Sequence, residues 1–119
     1  MRHLALALAA LAVPFVTTVP ALAHTSVVST SIAENARVQS APQTFTVEFS
    51  APVGLAGVTL TNADGVATPL AFQPTRQMTA RHTITLPTVP PGSYTLAWRT
   101  IARDGHAMSG SLHFVVTGR

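Results

Sequence analysis

Two short stretches at opposite ends of the chain carry side chains that together could hold a metal ion. The first is His24, which directly follows Ala21-Leu22-Ala23. A small-x-small triplet placed behind a basic tip (Arg2) and an apolar run from Leu4 to Val16 is the layout of a cleaved secretory signal. Cleavage after Ala23 makes His24 the amino terminus. One residue then offers an α-amine and an imidazole Nδ1 that can close a six-membered chelate ring on a single ion. An α-amine titrates near pH 8, about two units below a lysine amine, so a metal displaces its proton readily near neutrality. The second stretch is Asp104-Gly105-His106, a carboxylate and an imidazole two residues apart, with glycine letting the backbone turn sharply between them. If the first strand lies beside the loop after residue 101, the donors are three nitrogens and one oxygen. A tetragonal, nitrogen-rich set of this kind suits Cu(II), which heads the divalent affinity order.

The leader that makes His24 a terminus is too short to anchor the chain. Its apolar run is about 13 residues and contains Pro14, against the roughly 20 that a membrane-spanning helix needs. Residues 1–23 are therefore expected to be a removed signal, and residues 24–119 one exported domain. Cysteine is absent, so neither disulfides nor thiolate chemistry operates, and the fold must rest on its core. Lysine is absent as well. The arginines from Arg37 to Arg119 are scattered, with no basic run of the kind that nucleic-acid binding uses, and nucleic acid is not expected as a partner.

No part of residues 24–119 repeats apolar side chains at helical spacing over three turns, whereas several segments alternate with period two. Phe45, Val47 and Phe49 alternate with Thr44, Thr46 and Glu48, as a half-buried strand does. Val58–Thr61 and Val66–Phe72 flank Asn62-Ala63-Asp64-Gly65, whose Asp-Gly pair signals a hairpin. A strand over Thr79–Leu86 turns Ile84 and Leu86 inward and leaves His82 at the margin of that face; it ends at Pro87, which cannot donate to a ladder. Tyr94, Leu96 and Trp98 share a core face of the strand up to Ile101. The last strand, Ser111–Val116, buries Leu112, Phe114 and Val116 and points His113 outward. With an N-terminal strand at Ser26–Ser29 the pattern predicts an all-β, seven-stranded antiparallel β-sandwich. The segment 102–110 reads as a connection longer than a minimal hairpin needs.

Four features stand together: the mature N-terminal His24, Phe49-Ser50-Ala51-Pro52-Val53, the P-G-x-Y-x-L-x-W-R strand from Pro91 to Arg99, and the D-G-H-x-x-S-G element from Asp104 to Gly110. Together they resemble the CopC family of periplasmic copper-resistance and copper-trafficking proteins. The resemblance implies a Greek-key sandwich or barrel and one Cu(II) per chain, held by His24 through amine and imidazole, by Asp104 and by His106. It further implies a periplasmic monomer that sequesters or carries copper, with a CopD-type inner-membrane importer as its partner. Ala51 stands where members commonly carry an acidic residue, and Ala107 where many carry proline. Some members add a methionine-rich Cu(I) site. Met78 and Met108, the only methionines after the leader, are too few and too separated for one.

Two other classes are compatible with parts of this pattern. An N-terminal histidine chelate with a second histidine is also the copper brace of oxidative polysaccharide-cleaving enzymes. Against that reading, about 96 residues with one Trp and one Tyr leave little surface for a glycan, and Asp104 would fill a position that oxygen chemistry needs open. A metal-free structural sandwich is the other alternative, and Cu(II) binding separates it from the first. No serine lies in a strained strand-to-helix turn, so a Ser-His-Asp hydrolase is not expected.

Overall fold

Period-two burial runs through most of the domain's long strands and is interrupted in the longest at Val53–Leu55. The computed structural model describes residues 25–118, together with positions 9, 10, 12 and 14. His24 lies outside the described residues, as do most of residues 1–23 and Arg119. The strands in chain order are β1 (Val27–Thr30), β2 (Ala36–Val38), β3 (Thr44–Asn62), β4 (Ala67–Thr68), β5 (Thr79–Thr85), β6 (Gly92–Ile101) and β7 (Ala107–Val116).

The expected seven-stranded β-sandwich is the observed architecture, and β3 is its hinge. The two segments read separately as Thr44–Phe49 and Val58–Thr61 are one strand of 19 residues. Its first half pairs with β1 and β5, and its second half with β6 and β4. The second layer continues from β6 through β7 to β2. Because β3 belongs to both layers, it must bend between them. The ladder with β5 slips between Glu48 and Val53, and that with β6 slips between Leu55 and Gly57. Pro52 falls inside the first irregularity, where a missing N–H leaves no ladder bond unmade.

All ladders are antiparallel except one. β2 runs parallel to β7, with Ala36 opposite Phe114 and Val38 opposite Val116. The chain turns into β2 at Asn35, which has a φ of 62°, a left-handed conformation that asparagine tolerates. The expected strand Val66–Phe72 is cut to Ala67–Thr68, because Pro69 cannot continue the pairing. Its turn forms as expected: Asn62 Oδ1 accepts from the amides of Asp64 and Val66 at 3.0 and 2.9 Å.

The core lies between the layers. Phe45 and Val47 are fully buried from one side, and Leu96, Trp98, Leu112, Phe114 and Val116 face them from the other. Phe45 stacks on Trp98 across the gap, with ring centroids 5.8 Å apart. Tyr94 stacks on Phe114 at 5.7 Å, and its hydroxyl donates to the carbonyl of Pro90, a corner brace recurrent in β-sandwiches. Trp98 also explains the glycine of the S-G pair. A Cβ on Gly110 would lie 2.5 Å from the indole Nε1, so only glycine fits beneath the ring.

Candidate metal centre

The β6–β7 hairpin places Asp104 and His106 at one end of the sandwich. Pairing continues to Ile101 opposite Ala107, so the connection is the tight loop 102–106, and Ala107–Gly110 belong to β7 rather than to a long connection. The amide of Ala102 donates to the carbonyl of His106 at 2.9 Å, and that of Gly105 to the carbonyl of Ala102 at 2.9 Å. Gly105 has a φ of 89°, which a residue with a Cβ rarely adopts.

This turn couples the two expected ligands. Asp104 Oδ1 accepts from the His106 amide at 3.0 Å, and Oδ2 accepts from His106 Nδ1 at 2.7 Å. A carboxylate can only accept, so Nδ1 carries a proton, and in the neutral ring Nε2 then keeps its lone pair for another partner. The His106 amide first, and then its imidazole, hold the Asp104 carboxyl below the usual carboxylate range. Both side chains stand in solvent, His106 84% and Asp104 63% exposed. No buried group must therefore be stripped before an ion reaches them.

The amino-terminal end of the domain meets this loop. Thr25 is buried, and it lines a surface depression of about 500 Å³ together with Ser50, Ala51, Pro52, Arg103 and Asp104. His24 directly precedes Thr25 in the chain. Ser50 fastens this part of the chain. Its hydroxyl accepts from the Ser26 amide at 2.9 Å, and its own amide donates to the Ser26 carbonyl at 2.8 Å. That clamp is a task for the F-S serine that its place in the motif alone does not reveal. Ala51 brings a methyl group to the wall, so the depression has Asp104 as its carboxylate and Arg103 as its cation.

Among the described residues, no group of three or more His, Asp or Glu side chains is gathered as a metal cluster. Asp104 and His106 are brought together, and the third expected ligand, His24, belongs to the segment outside them. The other histidines have partners elsewhere. His113 points outward from β7, and its Nδ1 donates to Glu34 at 2.8 Å. His82 is buried on the inward face of β5 and donates from Nε2 to the carbonyl of Val53 at 2.8 Å. Met78 lies beside Gly54 ahead of β5, whereas Met108 sits in β7 opposite Thr100.

Comparison with known proteins follows the same lines. Solved structures share the fold: CopC from Methylosinus trichosporium OB3b has 21% identity and a TM-score of 0.63, covering 79% of this chain and 94% of that one. PcoC, a methionine-rich copper resistance protein from Escherichia coli, has 23% identity and a TM-score of 0.61, covering 80% of this chain and 100% of that one. The selenomethionine form of PcoC is similar at 21% identity and a TM-score of 0.60, with 77% of this chain and 99% of that one covered. A search of curated proteins finds no match. The CopC domain model matches residues 27–117, from the first residue of β1 to just past the end of β7, and the chain therefore belongs to the CopC family.

Proposed function

We propose that this protein is an exported copper-binding protein of the periplasm that holds one Cu(II). The ligands are the α-amine and imidazole of His24, the imidazole of His106 through Nε2, and the carboxylate of Asp104. The observation that carries this reading is the shared depression: Thr25, one residue after His24, lines it together with Asp104, whose other contact is His106. Family membership supports copper as the ion and binding rather than catalysis as the task. The donor chemistry supports the oxidation state, since amine and imidazole nitrogens with one carboxylate oxygen favour Cu(II) over Cu(I).

In this reading residues 1–23 are part of the mechanism, because only their removal frees the amine, and residues 24–119 are the functional domain. Asp104 has two duties. By accepting the Nδ1 proton it fixes the tautomer of His106 and aims Nε2 outward, and its remaining lone pairs are available to the ion. The loop is exposed, so copper can enter and leave without opening the core. Such a site suits a carrier or buffer that passes copper on. A CopD-type inner-membrane importer is the proposed recipient, and the chain acts as a monomer.

The test is Cu(II) titration with electron paramagnetic resonance on two forms of the protein, one starting at His24 and one with a single alanine before it. The expected result is one Cu(II) per chain with three nitrogen donors in the first form, and at least about tenfold weaker binding in the second. Equal affinity and identical spectra would overturn the amine ligand. Absence of Cu(II) binding by the first form would overturn the function.

A further inference from the structure

The wall of the depression opposite Asp104 is an arc of β3, and its shape needs an explanation. Between the pairs Glu48–Arg81 and Val53–Thr79, β3 advances five residues while β5 advances two. The surplus is taken up by the segment 49–52, and its Ser50, Ala51 and Pro52 line the depression with Thr25 and Asp104. Between those two pairs the arc leaves the ladder to β5, although Phe49 pairs with Val27 of β1 and Gly54, just past the arc, with Ile101 of β6.

His82 touches both ends. Its backbone is in register with Val47 on β3, and its ring turns inward. The ring meets Phe49, where the arc begins, edge-on with centroids 6.2 Å apart and planes at 72°. Its Nε2–H donates to the carbonyl of Val53, where the arc ends, at 2.8 Å. One buried side chain thus spans the arc from foot to foot. The carbonyl can only accept, so the bond requires a donor at the position of Nε2. The arc in turn carries Ser50, which holds Ser26 through both its hydroxyl and its amide. The chain of contacts runs from His82 through the arc to the strand that follows His24.

We infer that His82 is a positioning residue of the metal site: it pins the Phe49–Val53 arc, and through Ser50 it sets where the amino terminus stands relative to Asp104 and His106. The inference rests on the copper reading above for its functional half, and on the arc alone for its structural half.

The experiment compares His82→Gln, whose amide nitrogen falls near the place of Nε2, with His82→Leu, which has no donor. Amide hydrogen exchange of Phe49–Gly54 in the metal-free protein reads the arc independently of copper. Cu(II) affinity and paramagnetic resonance spectra of the form starting at His24 read the site. The leucine variant is expected to exchange at least about tenfold faster in the arc, with β6 and β7 unchanged, to bind Cu(II) about tenfold more weakly, and to show an altered spectrum. The glutamine variant is expected to restore both. A folded leucine variant with native arc exchange, or with native affinity and spectrum, would overturn the inference. If the leucine variant does not fold, His82→Asn takes its place, since its amide stops short of Val53; equal behaviour of the Asn and Gln variants would then overturn it. Should the unaltered protein bind no Cu(II), the copper reading falls, and the exchange comparison alone decides whether His82 pins the arc.

Discussion

Replacing Gly110 by alanine should damage the fold while leaving the proposed metal ligands untouched. The added Cβ would stand 2.5, 2.6 and 2.7 Å from Nε1, Cε2 and Cζ2 of Trp98. Carbon atoms in good contact are about 3.5–4.0 Å apart, so the overlap is about 1 Å against three ring atoms at once. The indole has little room to yield, being buried and stacked on Phe45 at 5.8 Å. Gly110 is directly opposite Trp98 in the β6–β7 ladder, so a backbone shift that relieved the overlap would strain that pairing. Overpacking of this kind typically costs about 1–3 kcal/mol. For a domain of this size each kcal/mol lowers the thermal midpoint by about 4–8 °C, so a fall of roughly 5–20 °C is expected. Calorimetry on Gly110→Ala, Trp98→Phe and the double variant measures it. Phenylalanine has no Nε1, so the double variant should be more stable than the sum of the single losses predicts. Below the lowered midpoint, Cu(II) affinity should match that of the unaltered protein, since Asp104 and His106 lie beyond the end of β6. A native midpoint for Gly110→Ala, or strict additivity in the cycle, would refute the claim that the ring of Trp98 dictates this glycine.

Three further outcomes are expected. Asp104→Asn removes the charge and leaves a carboxamide oxygen that can serve only one of the two His106 donors; Cu(II) affinity should fall about 10–100-fold, with the thermal midpoint unchanged, as competition with a chelator and calorimetry would show. Ser50→Ala frees the Ser26 amide from its side-chain acceptor; hydrogen exchange at Ser26 should rise, stability should drop by about 0.5–1.5 kcal/mol, and Cu(II) binding should weaken, whereas a change in stability alone would place Ser50 outside the site. Copper uptake should weaken as pH falls from 8 to 5, because protons compete with the ion for the freed α-amine of the proposed site. Asp104 should add nothing to that slope, since its carboxyl is held below the usual range by the His106 amide and imidazole and stays ionised throughout.

Residue types and spacing determined a good part of this protein. Burial parity was legible wherever β-branched or aromatic residues alternate, so Phe45, Val47, Tyr94, Leu96, Trp98, Leu112 and Phe114 are buried as their positions require. The coupling of Asp104 to His106 was also local, because a glycine between the two allows one turn to join them. Other features have no local signal. β2 is three residues long and exists because β7 offers it an edge. The unity of β3 is hidden because the alternation of Thr44–Phe49 does not continue through residues 50–57 to Val58–Thr61, and only two layers of sheet sharing the strand join them. The clamp from Ser50 to Ser26 and the bond from His82 to Val53 join residues 24 and 29 positions apart. Periodicity reports which face of a strand is buried, and motif spacing reports which donors are close in the chain. Only the folded sandwich decides which distant backbone groups meet, and here those meetings bring the residue after His24 to the depression lined by Asp104.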